Sequence, residues 1–516
     1  MRNKYLMKHE MARYFWPIRL VSCSLFILGI STFWPMGANQ SSALQHLESK
    51  LIPPPPQYLK SKALQHWSQR LKRHRYNLNK QSILVESLDG QTVLAQLNPE
   101  TPLNPASVMK LATSLIALER LGPNHQFLTR VYGDTSLDQK TKTLPGNLYI
   151  LSDGNPVLRK SDITRLTRTL VRNGLHRLDG DLVMSGPFSV KSNDNPEYSV
   201  KYLRRALRRM GIRIKGKTRL LPFSDLIEQS KIHFLSHTSE RMVDILWKQN
   251  AFSINDIADR LGYVLGGPAA IQDYLIQELG LNHNDIYVET SSGLEHNRMT
   301  TRAVIQILRR LLQRLNHHNM DLHDILPLAG VDRGTLSWRF RQSTHRGAIL
   351  GKTGTNSSKE GGVSSLAGLA MTRAHGPVLY AILNTQGSVL SYRRWQDEFL
   401  IKLLEESGGV SHTLGARPKF DQIYTSCTFC SVPHPVEGLS GLRHVLRPGG
   451  ELRMFEHTGS RWFPFNFMLQ VMNPFARKVG PEVIRPTVEN VREAGFEVRR
   501  VENLYLDVLK TIEAVR

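Results

Sequence analysis

The stretch Asn104-Pro-Ala-Ser-Val-Met-Lys-Leu-Ala-Thr-Ser-Leu-Ile116 decides the fold, because it places a serine, Ser107, three residues before a lysine, Lys110. After Pro105, apolar residues recur at the i, i+3, i+4, i+7 and i+8 spacing, which predicts a helix with one apolar face. Proline is tolerated in the first turn, so the helix is expected to begin near residues 105–107. Side chains three apart share a helix face, and the Lys110 amine should therefore lie beside the Ser107 hydroxyl.

This pair of residue types suits nucleophilic catalysis. A serine hydroxyl is a poor nucleophile at neutral pH and needs an adjacent base. A lysine buried in apolar surroundings near another cation loses its proton more readily, so Lys110 is predicted to be that base. An ordinary core helix with a solvated serine and lysine is the alternative, which S-x-x-K alone does not exclude.

Two further motifs follow along the chain, Ser253-Ile254-Asn255 and Lys352-Thr353-Gly354-Thr355. The second lies in a short, apolar, glycine-punctuated run that predicts a strand. Apolar runs at residues 364–372 and 378–383 follow it, and this spacing favours an antiparallel meander.

The strand with the K-T-G-T motif is predicted to bind substrate. Gly354 should allow a substrate backbone to approach the strand edge closely. The backbone amides of Thr355 and Ser107 are candidate donors to the oxyanion of a tetrahedral intermediate. Lys352 would supply the second cation, and its charge suits a substrate carboxylate.

With the three motifs in this order, the chain resembles the class C low-molecular-mass penicillin-binding proteins, which are D-alanyl-D-alanine carboxypeptidase/endopeptidases similar to peptidase family S13. The resemblance covers about residues 44–405. It implies an α+β fold in which an antiparallel sheet with flanking helices is interrupted by an inserted domain. Further resembling segments are residues 151–158, 178–183, 243–259, 292–300 and 326–336.

The resemblance also implies a division of the chain. A DD-peptidase at residues 44–405 would consist of a catalytic core at 44–125 and 240–405, with an inserted region at about 126–239. That insertion is shorter than the family usually carries, which leaves peptide selectivity open.

The resemblance implies a role for each motif residue. Ser107 would be the acylated nucleophile and Lys110 its base. Ser253, on a segment that resembles the family's motif-bearing helix, would relay a proton to the leaving D-alanine amine. Asn255 would hydrogen-bond the substrate amide and steady Lys110. The substrate-binding residues would be Lys352 and Thr353, which bind the terminal carboxylate, with Gly354 and Thr355.

The implied partners are a peptidoglycan peptide as substrate and beta-lactams as covalent inhibitors on Ser107, with no cofactor. A histidine- and aspartate-rich segment, residues 317–324, raises the question of a metal site. It is interpreted as a polar helix end or loop, and no metal is expected. A beta-lactamase would share the mechanism, but the resemblance outside the site favours the peptidase.

Composition and the N-terminus suggest an exported protein. Basic residues precede a nearly uncharged apolar run at residues 20–34, as in a signal peptide, assigned here to residues 1–43. An uncleaved N-terminal membrane anchor is the alternative. The protein is thus expected in the periplasm or cell envelope. A net charge of +23 indicates affinity for polyanions such as anionic wall polymers or a membrane surface. Nucleic acid is not expected, because no groove-binding motif or aromatic platform is present.

After a linker at residues 406–418, the tail at 419–516 has a different pattern. Leu446-Arg-Pro-Gly-Gly450 and Glu456-His457 resemble the C-terminal half of class I S-adenosylmethionine-dependent methyltransferases, which implies a partial α/β Rossmann-like fragment. No glycine-rich loop precedes Phe420, so the half that would bind the cofactor is missing. Cys427 and Cys430 are expected to be a buried thiol pair.

Two functions of other classes remain as alternatives. A methyltransferase with an accessory N-terminal region would bind S-adenosylmethionine and stay in the cytosol. A non-catalytic wall-binding protein would have a decayed site, against which the intact S-x-x-K and K-T-G-T motifs argue. Covalent labelling of Ser107 by penicillin separates the peptidase from both.

Overall fold

A computed structural model describes residues 55–190, 196–222, 231–341, 344–412, 420–460, 462–479, 484–505 and 507–516. The signal segment expected at residues 1–43 lies outside the described residues. Among the described helices, none combines the length and the apolar character that a membrane span requires.

The described strands, numbered along the chain, are β1 (Gln57–Tyr58), β2 (Gln81–Ser87), β3 (Thr92–Leu97), β4 (Leu128–Gly133), β5 (Thr143–Leu144), β6 (Leu148–Ser152), β7 (Arg177–Leu178), β8 (Leu182–Ser185), β9 (Arg213–Ile214), β10 (Thr218–Leu221), β11 (Ile232–Thr238), β12 (Ile286–Tyr287), β13 (Arg298–Met299), β14 (Ile349–Asn356), β15 (Val363–Thr372), β16 (Gly376–Thr385), β17 (Phe420–Ser426), β18 (Leu446–His457), β19 (Glu497–Tyr505) and β20 (Leu509–Val515).

The described α-helices are α1 (Lys62–Arg73), α2 (Lys110–Arg120), α3 (Lys160–Arg172), α4 (Pro196–Arg209), α5 (Met242–Ala251), α6 (Asn255–Val264), α7 (Gly267–Gln277), α8 (Thr301–Asn316), α9 (Val389–Glu406), α10 (Pro435–Val445), α11 (Phe465–Val479) and α12 (Thr487–Glu493). Short 3₁₀ helices cover Leu78–Lys80, Ala106–Met109 and Leu322–Asp324.

A six-stranded sheet with the order β1-β3-β2-β16-β15-β14 forms the centre of the catalytic part. Its neighbours pair antiparallel except β1 with β3, and β14, β15 and β16 form the meander expected from the sequence. Side chains alternate between the two faces of a strand, so Ile83 and Val85 pack against α1 and α9 while Leu84 packs against α2 and α8. The mixed α+β architecture is confirmed.

The inserted region has a core of its own. A five-stranded mixed sheet, β10-β8-β6-β4-β11, carries α3 and α4, and a small parallel sheet, β5-β7-β9, lies at its end. In both helices, apolar residues at helical spacing face the buried cluster, such as Ile163 and Leu170 in α3 and Leu203 and Leu207 in α4. The insertion is therefore a separate folded layer beside the catalytic sheet.

The tail forms a four-stranded sheet with the order β17-β18-β20-β19. Strands β17 and β18 are parallel with α10 between them in sequence, while β18, β20 and β19 pair antiparallel. Arg447 contacts Asp244 of α5 at 3.4 Å, which joins the tail to the catalytic part. The prediction of a buried thiol pair is confirmed for Cys430, which is buried. It is wrong for Cys427, which follows the end of β17 and is exposed.

Candidate active site

Residues 106–109, which carry the predicted nucleophile Ser107 and are called the nucleophile turn, lie at the start of α2. Residues 106–109 form one 3₁₀ turn that continues into the helix at Lys110, as the spacing predicts. Within it, the Lys110 amine lies 2.9 Å from the Ser107 hydroxyl. Ala106 adopts a left-handed backbone (φ 45°), a costly conformation for a residue with a side chain. This strained turn keeps Ser107 at the surface while Lys110 is buried.

The Lys110 amine has two further partners. It donates to Asn255 Oδ1 at 2.7 Å and to the backbone oxygen of Ser292 at 2.6 Å. Burial lowers the pKa of Lys110 from 10.5 to about 7, and the carboxyl of Asp259 opposes part of that shift. Near neutral pH, a large fraction of this amine is therefore unprotonated and able to accept a proton.

The second motif lies in a turn between two helices. The segment was expected to form one motif-bearing helix, but α5 ends at Ala251 and α6 begins at Asn255, so the structure corrects that expectation. Ser253 adopts φ 55° between them, and the Ile254 amide closes the turn on the Gln249 carbonyl at 3.0 Å. A left-handed residue reverses the chain here, so that Ser253 and Asn255 reach two different lysines.

The third motif lies on β14, at one edge of the six-stranded sheet. Lys352 is fully buried, and its amine donates to Ser253 Oγ at 2.9 Å and to the Thr353 carbonyl at 2.6 Å. Burial, followed by the nearby charge of Lys110, holds the pKa of Lys352 well below its usual value. Hydrogen bonds thus bring all three motifs together at one site, where the Lys352 side chain is fully buried.

Gly354 has a close neighbour within the chain that the sequence did not predict. A Cβ on this residue would lie 2.6 Å from the Pro105 carbonyl oxygen and 3.2 Å from the Ala106 Cβ. The close neighbour is therefore the enzyme's own nucleophile turn, against which β14 packs. Gly293 meets the same turn from another side, because its Cβ would lie 1.9 Å from the Ala106 carbonyl oxygen.

Gly354→Ala is expected to reduce the rate of acylation by at least about tenfold, because the added methyl group must displace backbone atoms beside Ser107. The measurement is the rate of covalent labelling by a fluorescent penicillin. Gly441→Ala in α10 is the matched control, since a Cβ there meets nothing within 4 Å. Labelling of G354A at the unchanged rate would show that the contact does not position the nucleophile.

Several residues of the site carried no assigned role in the sequence. Ser292 supplies the carbonyl that holds Lys110, and its own amide donates to Asp259 at 2.9 Å. Burial raises the pKa of Asp259. The segments containing both residues resemble family signatures, yet nothing in their composition indicated contact with the lysine.

Two further side chains, of Thr335 and Arg393, contact β14, the strand predicted to bind substrate. Thr353 Oγ1 lies 2.8 Å from Thr335 Oγ1. Arg393 of α9 is exposed and donates to Thr355 Oγ1 at 2.8 Å. Burial of part of its side chain and the charge of Arg339 lower the pKa of Arg393, and a guanidinium keeps its proton in proteins. Arg393 therefore places an exposed positive charge at the end of the K-T-G-T motif.

The histidine- and aspartate-rich segment, residues 317–324, forms hydrogen bonds within the protein. His323 Nε2 lies 3.1 Å from Asp332, and Asp321 caps the short 3₁₀ helix by accepting from the His323 amide. Within the described ranges, no group of three or more acidic, cysteine or histidine residues has the arrangement of a metal site.

The sequence matches a protein family and a known carboxypeptidase. A sequence model of the D-Ala-D-Ala carboxypeptidase 3 (S13) family matches residues 65–186 and 185–398. A D-alanyl-D-alanine carboxypeptidase, DacB, of Haemophilus influenzae is 30% identical over 203 residues, which are 37% of this chain and 40% of the relative. The match thus spans two fifths of that relative's length.

Solved structures share the fold at low sequence identity. Penicillin binding protein 4 of H. influenzae is similar with a TM-score of 0.52 at 20% identity, over 63% of this chain and 96% of that one. A penicillin G-acylated predatory endopeptidase of Bdellovibrio bacteriovorus, in complex with an immunity protein, is similar with a TM-score of 0.50 at 21% identity, over 65% and 94%.

Proposed function

Because the chain belongs to the D-Ala-D-Ala carboxypeptidase 3 (S13) family, we propose that it is a serine-type D-alanyl-D-alanine carboxypeptidase/endopeptidase of peptidoglycan stem peptides. The set of contacts around the Lys110 amine carries this proposal. A neutral amine has two N–H donors and one lone pair. With its donors directed to Asn255 and Ser292, the lone pair remains for the Ser107 hydroxyl at 2.9 Å.

The reaction follows from this geometry. Ser107 Oγ bonds to the carbonyl carbon of the penultimate D-alanine, and its proton passes to Lys110. Collapse of the tetrahedral intermediate breaks the C–N bond, and the leaving D-alanine nitrogen takes a proton from Ser253, which contacts Lys352. The proton that Lys110 took from Ser107 then returns to Ser253, so that Lys110 is neutral again for the attack of water. Water then hydrolyses the acyl-enzyme and regenerates the Ser107 hydroxyl. A beta-lactam would acylate the same oxygen by opening of its ring amide.

Recognition of the terminal carboxylate is divided between buried and exposed groups. Lys352 has no exposed surface, so in this geometry it acts through its contact with Ser253. Arg393 is the exposed cation beside Thr355. We infer that Arg393, with Thr353 and Thr355, contacts the carboxylate directly, because a guanidinium forms strong charge-assisted hydrogen bonds to that group.

The test of the proposed function is release of D-alanine from a peptide that ends in D-Ala-D-Ala. A second arm uses a cross-linked stem peptide, whose cleavage reports endopeptidase activity. We expect turnover of at least one of the two and a covalent penicillin adduct. Absence of turnover in both arms, together with absence of the adduct, would contradict the proposal.

In the same assay, Arg393→Gln is expected to raise KM for the D-Ala-D-Ala peptide by about tenfold, because one charge-assisted contact is lost. The effect of the substitution on kcat should be smaller than its effect on KM. A substrate amidated at its C-terminus should lose this difference between R393Q and the unaltered protein. Arg208→Gln, an exposed arginine in α4, is the control for loss of one charge. An unchanged KM for R393Q would exclude the carboxylate contact.

We propose that the protein acts in the periplasm or cell envelope. The substrate class lies outside the cytoplasm, and the basic and apolar N-terminal segment supports export by a signal peptide or anchor. Anionic wall polymers or a membrane surface fit the net charge of +23.

We also propose that residues 419–516 are the C-terminal half of a class I methyltransferase fold without transfer activity. The parallel pair β17–β18 followed by the antiparallel strands β20 and β19 supports this assignment. The sheet ends at β17, where the cofactor-binding half of such a fold would continue. The purified chain is therefore expected not to bind S-adenosylmethionine, and calorimetric detection of binding would refute this.

A further inference from the structure

A basic cavity lies between α1 and α9, on the face of the catalytic sheet opposite α2. Its volume is about 340 Å³. The lining side chains are His66, Gln69, Arg70, Arg73, His74, Ser391, Arg394 and Trp395. We propose that this cavity binds a phosphate group, carried by a lipid headgroup or a wall polymer.

The charges of the cavity favour an anion. Arg70 forms an ion pair with Glu398, so the charge of that acid is already neutralised. Arg73 and Arg394 are both exposed, and neither forms an ion pair with an acidic residue of the described segments. Two exposed guanidinium groups therefore face one concave site from two different helices, an arrangement that suits the oxygen atoms of phosphate.

Opposite ends of two helices meet at the cavity. Helices α1 and α9 are antiparallel, since the α1 start contacts Glu406 and the α1 end contacts Trp395. The cavity thus lies at the N-terminal part of α9, where Ser391 occupies the first turn after the Ser388 cap. The C-terminal end of α1 lines the same cavity, so its partial negative charge opposes the partial positive charge of the α9 N-terminus, and the attraction of an anion depends on the side chains.

Aromatic packing forms one wall of the cavity. Trp395 is almost fully buried, and the His74 ring packs on it with centroids 5.0 Å apart. Burial, followed by the repulsion from the charges of Lys402 and Arg70, lowers the pKa of His66. A bound phosphate would relieve that repulsion between like charges.

The test compares two variants with the same change in net charge. Arg73→Glu/Arg394→Glu reverses the cavity charges, and Arg205→Glu/Arg208→Glu reverses two exposed arginines of α4. The probes are a soluble poly(glycerol phosphate), measured by calorimetry, and vesicles of phosphatidylglycerol and phosphatidylcholine, measured by sedimentation at fixed ionic strength. Vesicles of phosphatidylcholine alone provide the background that the N-terminal segment contributes.

We expect R73E/R394E to weaken binding of at least one phosphate probe by about tenfold or more, and R205E/R208E to change it less than about threefold. If R73E/R394E binds the soluble polymer more weakly, the phosphate group belongs to a wall polymer. If it binds the phosphatidylglycerol vesicles more weakly, the phosphate group belongs to a lipid headgroup. Equal losses in both variants, or no binding of either probe by the unaltered chain, would overturn the proposal. The release of D-alanine is measured alongside: it should be unchanged in both variants, because Ser107 lies across the sheet, and it reports correct folding.

Discussion

Ser107→Ala is expected to reduce release of D-alanine by about 10³- to 10⁶-fold and to abolish the covalent penicillin adduct. No other hydroxyl among the described residues contacts the Lys110 amine, which lies 2.9 Å from Ser107 Oγ. Without that oxygen no acyl-enzyme can form, and only binding and electrostatic contributions remain. Initial rates with the D-Ala-D-Ala peptide and gel fluorescence after labelling are the two measurements.

Folding of S107A is expected to be unaffected, because Ser107 is partly exposed and the change removes one oxygen. Ser68→Ala, a partly exposed serine of α1, is the matched control and should retain activity. The assignment of the nucleophile fails if S107A keeps more than a few per cent of the rate while S68A behaves like the unaltered protein.

Lys110→Arg is expected to be as inactive as Lys110→Met, although the arginine keeps the positive charge. A guanidinium cannot give up its proton in a protein, so it cannot accept the one from Ser107. Both variants should lower the acylation rate by about 10³-fold or more. Lys62→Met, an exposed lysine in α1, is the control. Efficient acylation by K110R would show that Lys110 contributes only charge.

The same amine determines the expected pH dependence. With the pKa of Lys110 at about 7, the acylation rate should rise about tenfold per pH unit below that value and level off above it. The stability has the matching sign: the unfolded lysine keeps its proton up to about 10.5, so the unfolded state binds more protons between about 7 and 10.5, and stability rises with pH across that window. A single-turnover acylation rate that is flat from pH 5 to 8 would contradict this.

The sequence was sufficient for the parts of the site that depend on local spacing. The separation of Ser107 and Lys110 by one helical turn, and the meander around Lys352, follow from periodicity and turn residues. Their convergence with Ser253 followed from the resemblance. Local patterns determine short-range geometry, so these predictions needed no knowledge of tertiary contacts.

The remaining features depend on long-range packing. The Ser292 carbonyl reaches Lys110 across 182 residues, and Arg393, near the start of α9, reaches Thr355 across 38 residues. At Ser253 a left-handed turn replaces the expected helix. From this short segment Asn255 contacts Lys110 and Ser253 contacts Lys352. Gly354 was explained by substrate approach, but the neighbour that requires a glycine is the Pro105 carbonyl, brought there by packing of β14 on the nucleophile turn.

The central claim is that the Ser107 oxygen becomes acylated while Lys110 removes its proton. The most direct measurement is mass spectrometric mapping of the intact chain after brief exposure to penicillin at pH 8, followed by proteolysis. The account predicts one penicilloyl group, on the peptide that contains Ser107, and none after exposure of K110M for the same time. A penicilloyl group on any other residue, or equal labelling of K110M, would contradict it.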